Sequence, residues 1–176
     1  MTSFPWVLLT GIITAAAALT GVWLTQRTNR RQRLEDRADA RRLEQRDVLV
    51  ELIDAVEHWT PLAEMTSLLL GRVGAGNELT EYLNTDSGKN LLAATRELER
   101  VLVRCRLIIT DDELRPLVLR IKAELDRRAE DVNGPLVEAA RSRRDSTDAV
   151  VASLRYYRDV RALAVQVQET ALRRLT

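Results

Sequence analysis

Apolar and polar positions follow three rhythms along this chain, and each predicts a different element. From Phe4 to Thr25 the stretch FPWVLLTGIITAAAALTGVWLT carries no charge. A helix of these roughly 22 residues would extend about 33 Å, against a hydrocarbon core of about 30 Å. The pattern predicts an uncleaved transmembrane helix. From Gln26 to residue 47 charges dominate, and Leu34 and Ala38 are isolated apolar positions. That predicts a solvated helix, with pairs such as Asp39/Arg42 and Arg41/Glu44 spaced to meet on its surface. From Val48 onward, Val48, Leu52, Val56 and Trp59 recur at three- and four-residue steps, the signature of a helix with one buried face.

The same rhythm continues to the end, broken by punctuation. Thr60-Pro61 reads as a helix start, with Thr as cap and Pro in the first turn. Leu62, Met65, Leu69 and Leu70 follow before Gly71–Asn77 (GRVGAGN) interrupts. A second run begins near Asp86-Ser87 and carries Leu91, Ala94, Leu98, Val101, Leu102, Cys105, Ile108 and Ile109. Thr110 to Glu113 reads as a capping box. The next helix shows Leu114, Leu117, Ile121, Leu125 and Val132, with Pro116 marking a kink or a later start. Asn133-Gly134-Pro135 predicts a stop and restart. A last helix then runs from Leu136 to Leu175, with Ser146-Thr147 as an internal boundary and a stripe of Val150, Leu154, Tyr157, Leu163 or Ala164, Val167, Leu172 and Leu175. Strand-like alternation is absent. The expected fold is all-α, divided into a transmembrane anchor (1–25), a charged juxtamembrane helix (26–47) and a cytosolic antiparallel helical bundle (48–176).

Charge adds an orientation. Arg27, Arg30, Arg31 and Arg33 all precede the first acid, Glu35. By the positive-inside rule they stay cytoplasmic, so the N-terminus is expected outside and the C-terminal domain inside. Trp6 and Trp23 are 17 positions apart, about 25 Å along a helix, which places one indole at each interface. The arginines also suit anionic lipid headgroups, at about 1 kcal/mol each. Gly11, Ala15 and Ala18 share a small-residue face suited to pairing with a second span; an Ala-rich helix without a partner is the plainer alternative. The expected partners are thus the bilayer, anionic headgroups, and a second copy or another membrane protein. A net charge of +1 with 30% charged residues is unlike a nucleic-acid binder, and no nucleic-acid partner is expected.

The stretch NRRQRLEDRADARRLEQRDVLVELI resembles the juxtamembrane region of small single-span proteins of high-GC Gram-positive bacteria or their phages. The almost exclusive use of Arg over Lys (Lys89 and Lys122 are the two lysines) agrees with such a source. The resemblance covers roughly residues 4–58. It implies a membrane location and a helical cytosolic segment, and it implies no activity.

Candidate chemistry is sparse. Glu51, Asp54 and His58 share a helical stripe, but His58 is the only histidine, and a di-iron bundle needs Glu-x-x-His twice. Ser87-Gly88-Lys89 is a fragment of a phosphate loop without its first glycine or its Ser/Thr. Asp111, Asp112 and Glu113 are explained by a helix's first turn. Cys105, the single cysteine, lies on the apolar face and reads as core. Arg141, Arg143 and Arg144 form a short basic patch, read as solvated. Tyr156-Tyr157 is expected to place one ring inside and one outside as a protein contact. No cofactor, metal or enzymatic activity is expected. The expected function is that of a membrane-anchored helical interaction or scaffold protein, with a phage- or prophage-type membrane effector (lysis or exclusion factor) as the alternative.

Overall fold

The computed structural model describes the backbone of residues 4–73, 81–82, 84–141 and 146–175, and the side chains of these except 4–22, 24, 72, 73, 129, 140 and 141. Five helices among the described residues follow in order: α1 (Phe4–Val73), α2 (Asp86–Ile108), α3 (Leu114–Arg128), α4 (Gly134–Arg141) and α5 (Thr147–Arg174). A π turn, Ala129–Asn133, joins α3 to α4. The described residues are all-helical, without a strand. The chain divides into two units, Met1–Arg42 and Leu43–Thr176.

In the first unit α1 is helical from Phe4, and every described side chain up to Arg42 is exposed. Asp39 and Arg42 stand 3.8 Å apart, as their spacing predicts. Among the described residues no helix is long and apolar enough to cross a membrane. The side chains of Phe4 to Val22, on which the anchor expectation rests, lie outside the described residues, as do those of Trp6, Gly11, Ala15 and Ala18.

The second unit is an antiparallel four-legged bundle, as cross-contacts show. Along α1, Val48, Glu51 and Trp59 meet Cys105, Arg104 and Thr95 of α2, so ascending numbers face descending ones. Gly71 and Glu57 meet Ser146 and Arg161, so α5 also runs against α1. Tyr156 of α5 reaches Glu124 of α3, and Arg174 reaches Asp111, which sets α3 antiparallel to α5. Helices α3 and α4, joined by the π turn, make the third leg. The core runs through Val48, Leu52, Val56, Trp59, Leu98, Leu102, Ile121, Leu136, Tyr157 and Val160, all nearly inaccessible to solvent.

Several boundaries differ from the sequence expectation. Thr60-Pro61 does not start a helix; Pro61 lies inside α1. Pro61 cannot donate to the preceding turn, a cost of roughly 3 kcal/mol in a helix interior. Trp59, Thr60 and Ala63 are buried on the stripe begun by Val48, so a break here would pull core residues out. Thr60 Oγ1 donates to Val56 O at 2.7 Å and spends its hydroxyl within the helix rather than as a cap. The cap of α3 is Asp111 and not Thr110: Asp111 Oδ1 accepts the N–H groups of Glu113 (2.9 Å) and Leu114 (3.1 Å). Thr110 instead accepts from Gln45 Nε2 at 3.0 Å. That bond ties Gln45 into the second unit, Leu43–Thr176. Pro116 falls in the opening turn of α3, where a missing N–H costs nothing, and the helix starts before it. At Asn133-Gly134-Pro135 the chain widens into one π turn rather than stopping. The Ser146-Thr147 boundary is real, since α5 begins at Thr147. Along α5, Ser153, Val160 and Thr170 join the buried face, whereas Leu172 is 57% exposed.

Gly71 closes α1 against α5. A Cβ at this position would stand 2.3 Å from Val150 Cγ2, and Ser146 Oγ donates to Gly71 O at 2.7 Å. Gly71→Ala gains up to about 1 kcal/mol of helix propensity. It must displace a β-branched side chain with one favoured rotamer, an overpacking cost of roughly 1–3 kcal/mol. Net destabilisation is the expected outcome of urea melts, and Val150→Ala added to Gly71→Ala should recover most of the loss. Equal melts for wild type and Gly71→Ala would refute the close approach.

Candidate membrane-interface and binding surfaces

The sequence-predicted interface residues that are described lie on the first unit. Trp23 is 57% exposed, and the Arg27 guanidinium sits 5.2 Å from its ring centroid, a cation–π contact. Positions 23, 27, 30 and 34 repeat at helical spacing, and Trp23, Arg27, Arg30 and Leu34 line one shallow concavity with Gln26 and Arg31. Arg33 is exposed as well. The face thus combines an amphipathic ring with guanidinium groups that carry planar, bidentate donors for phosphate.

On the bundle, an apolar groove lies between the start of the α1 segment and the end of α5. Leu49, Val50, Ile53, Ala171, Leu172 and Leu175 line it, with Arg46, Asp54 and Gln168 at its edges. Val50 is 50% exposed there. Sequence patterning misses this groove because it assigns Leu172 to the core and omits Val50 and Ile53, which fall off the Val48–Trp59 stripe. The missed signal is a second seven-residue repeat, Leu43 to Val50 on α1 and Val165 to Leu172 on α5; all four are exposed.

At the other end, Arg128 enters the bundle from the end of α3. Its guanidinium carbon is 4.9 Å from the Trp59 ring centroid and 5.9 Å from that of Tyr157. Trp59 and Tyr157 meet edge to face at 5.5 Å, and Trp59 Nε1 donates to Thr95 Oγ1 at 3.1 Å. Beside them lies a cavity of about 180 Å³ lined by Thr95, Leu98, Glu99, Leu125, Arg128 and Asn133.

Glu51, Asp54 and His58, weighed as metal ligands, share one stripe of α1 but have different surroundings. Glu51 pairs with Arg104, Asp54 edges the groove, and His58 is exposed. Among the described residues no group of three His, Cys, Asp or Glu is placed to hold a metal. Gly88, in the loop fragment Ser87-Gly88-Lys89, donates its N–H to Thr85 Oγ1 at 3.2 Å, so the cap of α2 is Thr85. Burial pushes the Asp111 carboxyl up, but the N–H groups of Glu113 and Leu114 and the Arg174 guanidinium outweigh it and hold the carboxyl below its usual range. Tyr156 is half-buried rather than outside: its hydroxyl donates to Glu124 O at 2.8 Å, and burial raises its pKa. Arg143 and Arg144 lie outside the described residues, as does the side chain of Arg141.

Cys105 is buried, and its Sγ lies 3.5 Å from Val48 O. Burial, aided by the Glu51 carboxylate, pushes the thiol up to about 12. A free thiol titrates near 8.5. The neutral thiol's contribution is therefore complete below about pH 8.5 and is lost as pH rises toward 12, because the unfolded chain ionises first. Stability should fall across that window in wild type and less in Cys105→Val, as urea midpoints at stepped pH would show. At pH 8 a thiol reagent should label Cys105 only at the rate of unfolding; rapid labelling of the native protein would contradict its burial.

Comparison with protein-family models, with curated proteins and with solved structures finds no match. The geometry above is therefore the basis for a functional reading.

Proposed function

We propose that this chain is a single-span membrane protein that holds a helical bundle at the cytoplasmic leaflet and acts through protein contacts of that bundle. Three features support the reading. The charge-free stretch from Phe4 to Thr25 has the length of a span, and α1 includes it in a helical backbone. The Arg27–Arg33 cluster follows it, and Trp23 and Arg27 share an exposed face. That order suits an N-terminus outside, a cytoplasmic C-terminus and arginines at anionic headgroups.

The observation that carries the interaction role is the groove between α1 and α5. An amphipathic helix of a partner protein is the occupant that fits it. The apolar floor takes such a helix's apolar stripe, and Arg46 and Asp54, two turns apart on one wall, call for an acid and a base at matching spacing. A photo-crosslinking residue at Leu172 in native membranes tests this. The expected result is an adduct that maps to an amphipathic helix of another protein, is lost with Val50→Asp, and weakens with Asp54→Arg. Crosslinks to lipid, to a second copy of this chain, or insensitive to Val50→Asp would each overturn the groove as that docking site.

A further inference from the structure

We propose that the cavity beside the π turn binds a small organic carboxylate, with Arg128 as its anchoring cation. An arginine keeps its charge under all ordinary conditions, and a charge withdrawn from water calls for a compensating partner. Three partly exposed arginines of the bundle do have a carboxylate nearby: Arg104 pairs with Glu51, Arg174 with Asp111, and Arg161, whose Nε is likewise buried without a hydrogen bond, lies 3.6 Å from Glu57 Oε1. Arg128 is half-buried, its Nε is buried without a hydrogen-bond partner, and among the described residues no carboxylate pairs with it. Trp59 and Tyr157 stabilise the cation through their π systems. They leave its buried Nε–H without an acceptor, and the guanidinium fork matches a carboxylate.

The π turn supplies a second group. In an α-helix, residues five apart are rotated about 140° from one another, on different faces. A turn bonded from i to i+5 brings such residues toward one side. Arg128 and Asn133, five apart across the turn, accordingly both line this cavity. Asn133 adds an amide that can donate to a second oxygen.

The remaining walls set the ligand class. Leu98 and Leu125 give the cavity an apolar side, which suits a short hydrocarbon tail rather than an inorganic ion. Glu99 also lines it, and its charge repels a dianion such as phosphate about twice as strongly as it repels a monoanion. About 180 Å³ is ample for a carboxylic acid of a few carbons, since one water needs only about 10–15 Å³ by the same measure.

The test is calorimetric titration of the full-length protein in detergent micelles with sodium butyrate and, separately, with inorganic phosphate. Butyrate should bind saturably and phosphate should not. Arg128→Gln should weaken butyrate binding at least about tenfold. Because Arg128 also braces two core rings, that variant's melt is followed in parallel. Leu125→Phe, which fills the cavity and leaves the guanidinium in place, should abolish binding by an independent route. Absence of saturable butyrate heat, preference for phosphate, or butyrate binding unchanged in Leu125→Phe would overturn the proposal.

Discussion

Trp59→Ala should destabilise the bundle by about 3–5 kcal/mol, the range for truncating a large buried aromatic. No part of Trp59 is accessible to solvent, so the whole indole is replaced by a void in the core beside Tyr157. Three further contacts disappear with it: the Nε1 bond to Thr95 at 3.1 Å, the edge-to-face contact with Tyr157 and the cation–π contact with Arg128. Thr95 still donates to Leu91 O, so its hydroxyl is not left without a partner. Arg128 keeps only the more distant ring, 5.9 Å away. At about 4 °C per kcal/mol for a domain of this size, the melting temperature should fall by roughly 12–20 °C. Trp59→Phe retains most of the packing and loses the N–H, so about 1–2 kcal/mol is expected. Trp23→Ala is the control: Trp23 is exposed, outside the bundle unit, and its loss should leave the melt unchanged. A Trp59→Ala melt within 1 kcal/mol of wild type would show that the bundle does not close around this side chain.

Trp59 also illustrates what was legible in the sequence. Its place on the Val48–Trp59 stripe follows from spacing alone, as does the whole buried face of α2 from Leu91 to Cys105. On these two stretches the apolar positions at helical spacing are the buried ones. Local punctuation reported less well. Pro61 is a strong breaker in isolation, yet the buried residues on either side outweigh its missing hydrogen bond. Thr110 matches a capping pattern, but Asp111 is one residue closer to the orphan N–H groups and takes the role. Arg128 was not legible at all. A cation inside an amphipathic stripe looks like solvated surface until Trp59 and Tyr157, 98 positions apart, are brought to the same point. The groove was hidden for a related reason: Leu172 fits the core rhythm of α5, and only the placement of neighbouring helices decides that it stays exposed.

Deleting residues 1–25 should move the protein from a carbonate-resistant membrane pellet to the supernatant while leaving the bundle's urea midpoint unchanged. The two halves of that expectation rest on different physics. Phe4, Val7, Leu8, Leu9, Ile12, Ile13, Leu19, Val22 and Leu24 each favour insertion, at about −0.3 to −0.6 kcal/mol apiece near the centre of a span, or roughly −3 to −5 kcal/mol in sum. No charge in the stretch opposes that sum. The arginines beyond it add attraction to anionic lipid at about 1 kcal/mol each, a term that high salt screens, whereas the apolar term persists. A protein held by the arginines alone would be released by salt or carbonate; one held by Phe4–Thr25 would resist both. The folding half rests on where the core lies: among the described residues its buried hydrophobic side chains run from Val48 to Val167, all within the second unit, Leu43–Thr176. Removing the first 25 residues deletes none of these. A drop in the urea midpoint would mean that the segment before the bundle contributes to its core. Full-length protein released by carbonate would show that Phe4–Thr25 lies on the membrane surface or off it, and the proposed topology would fall with it.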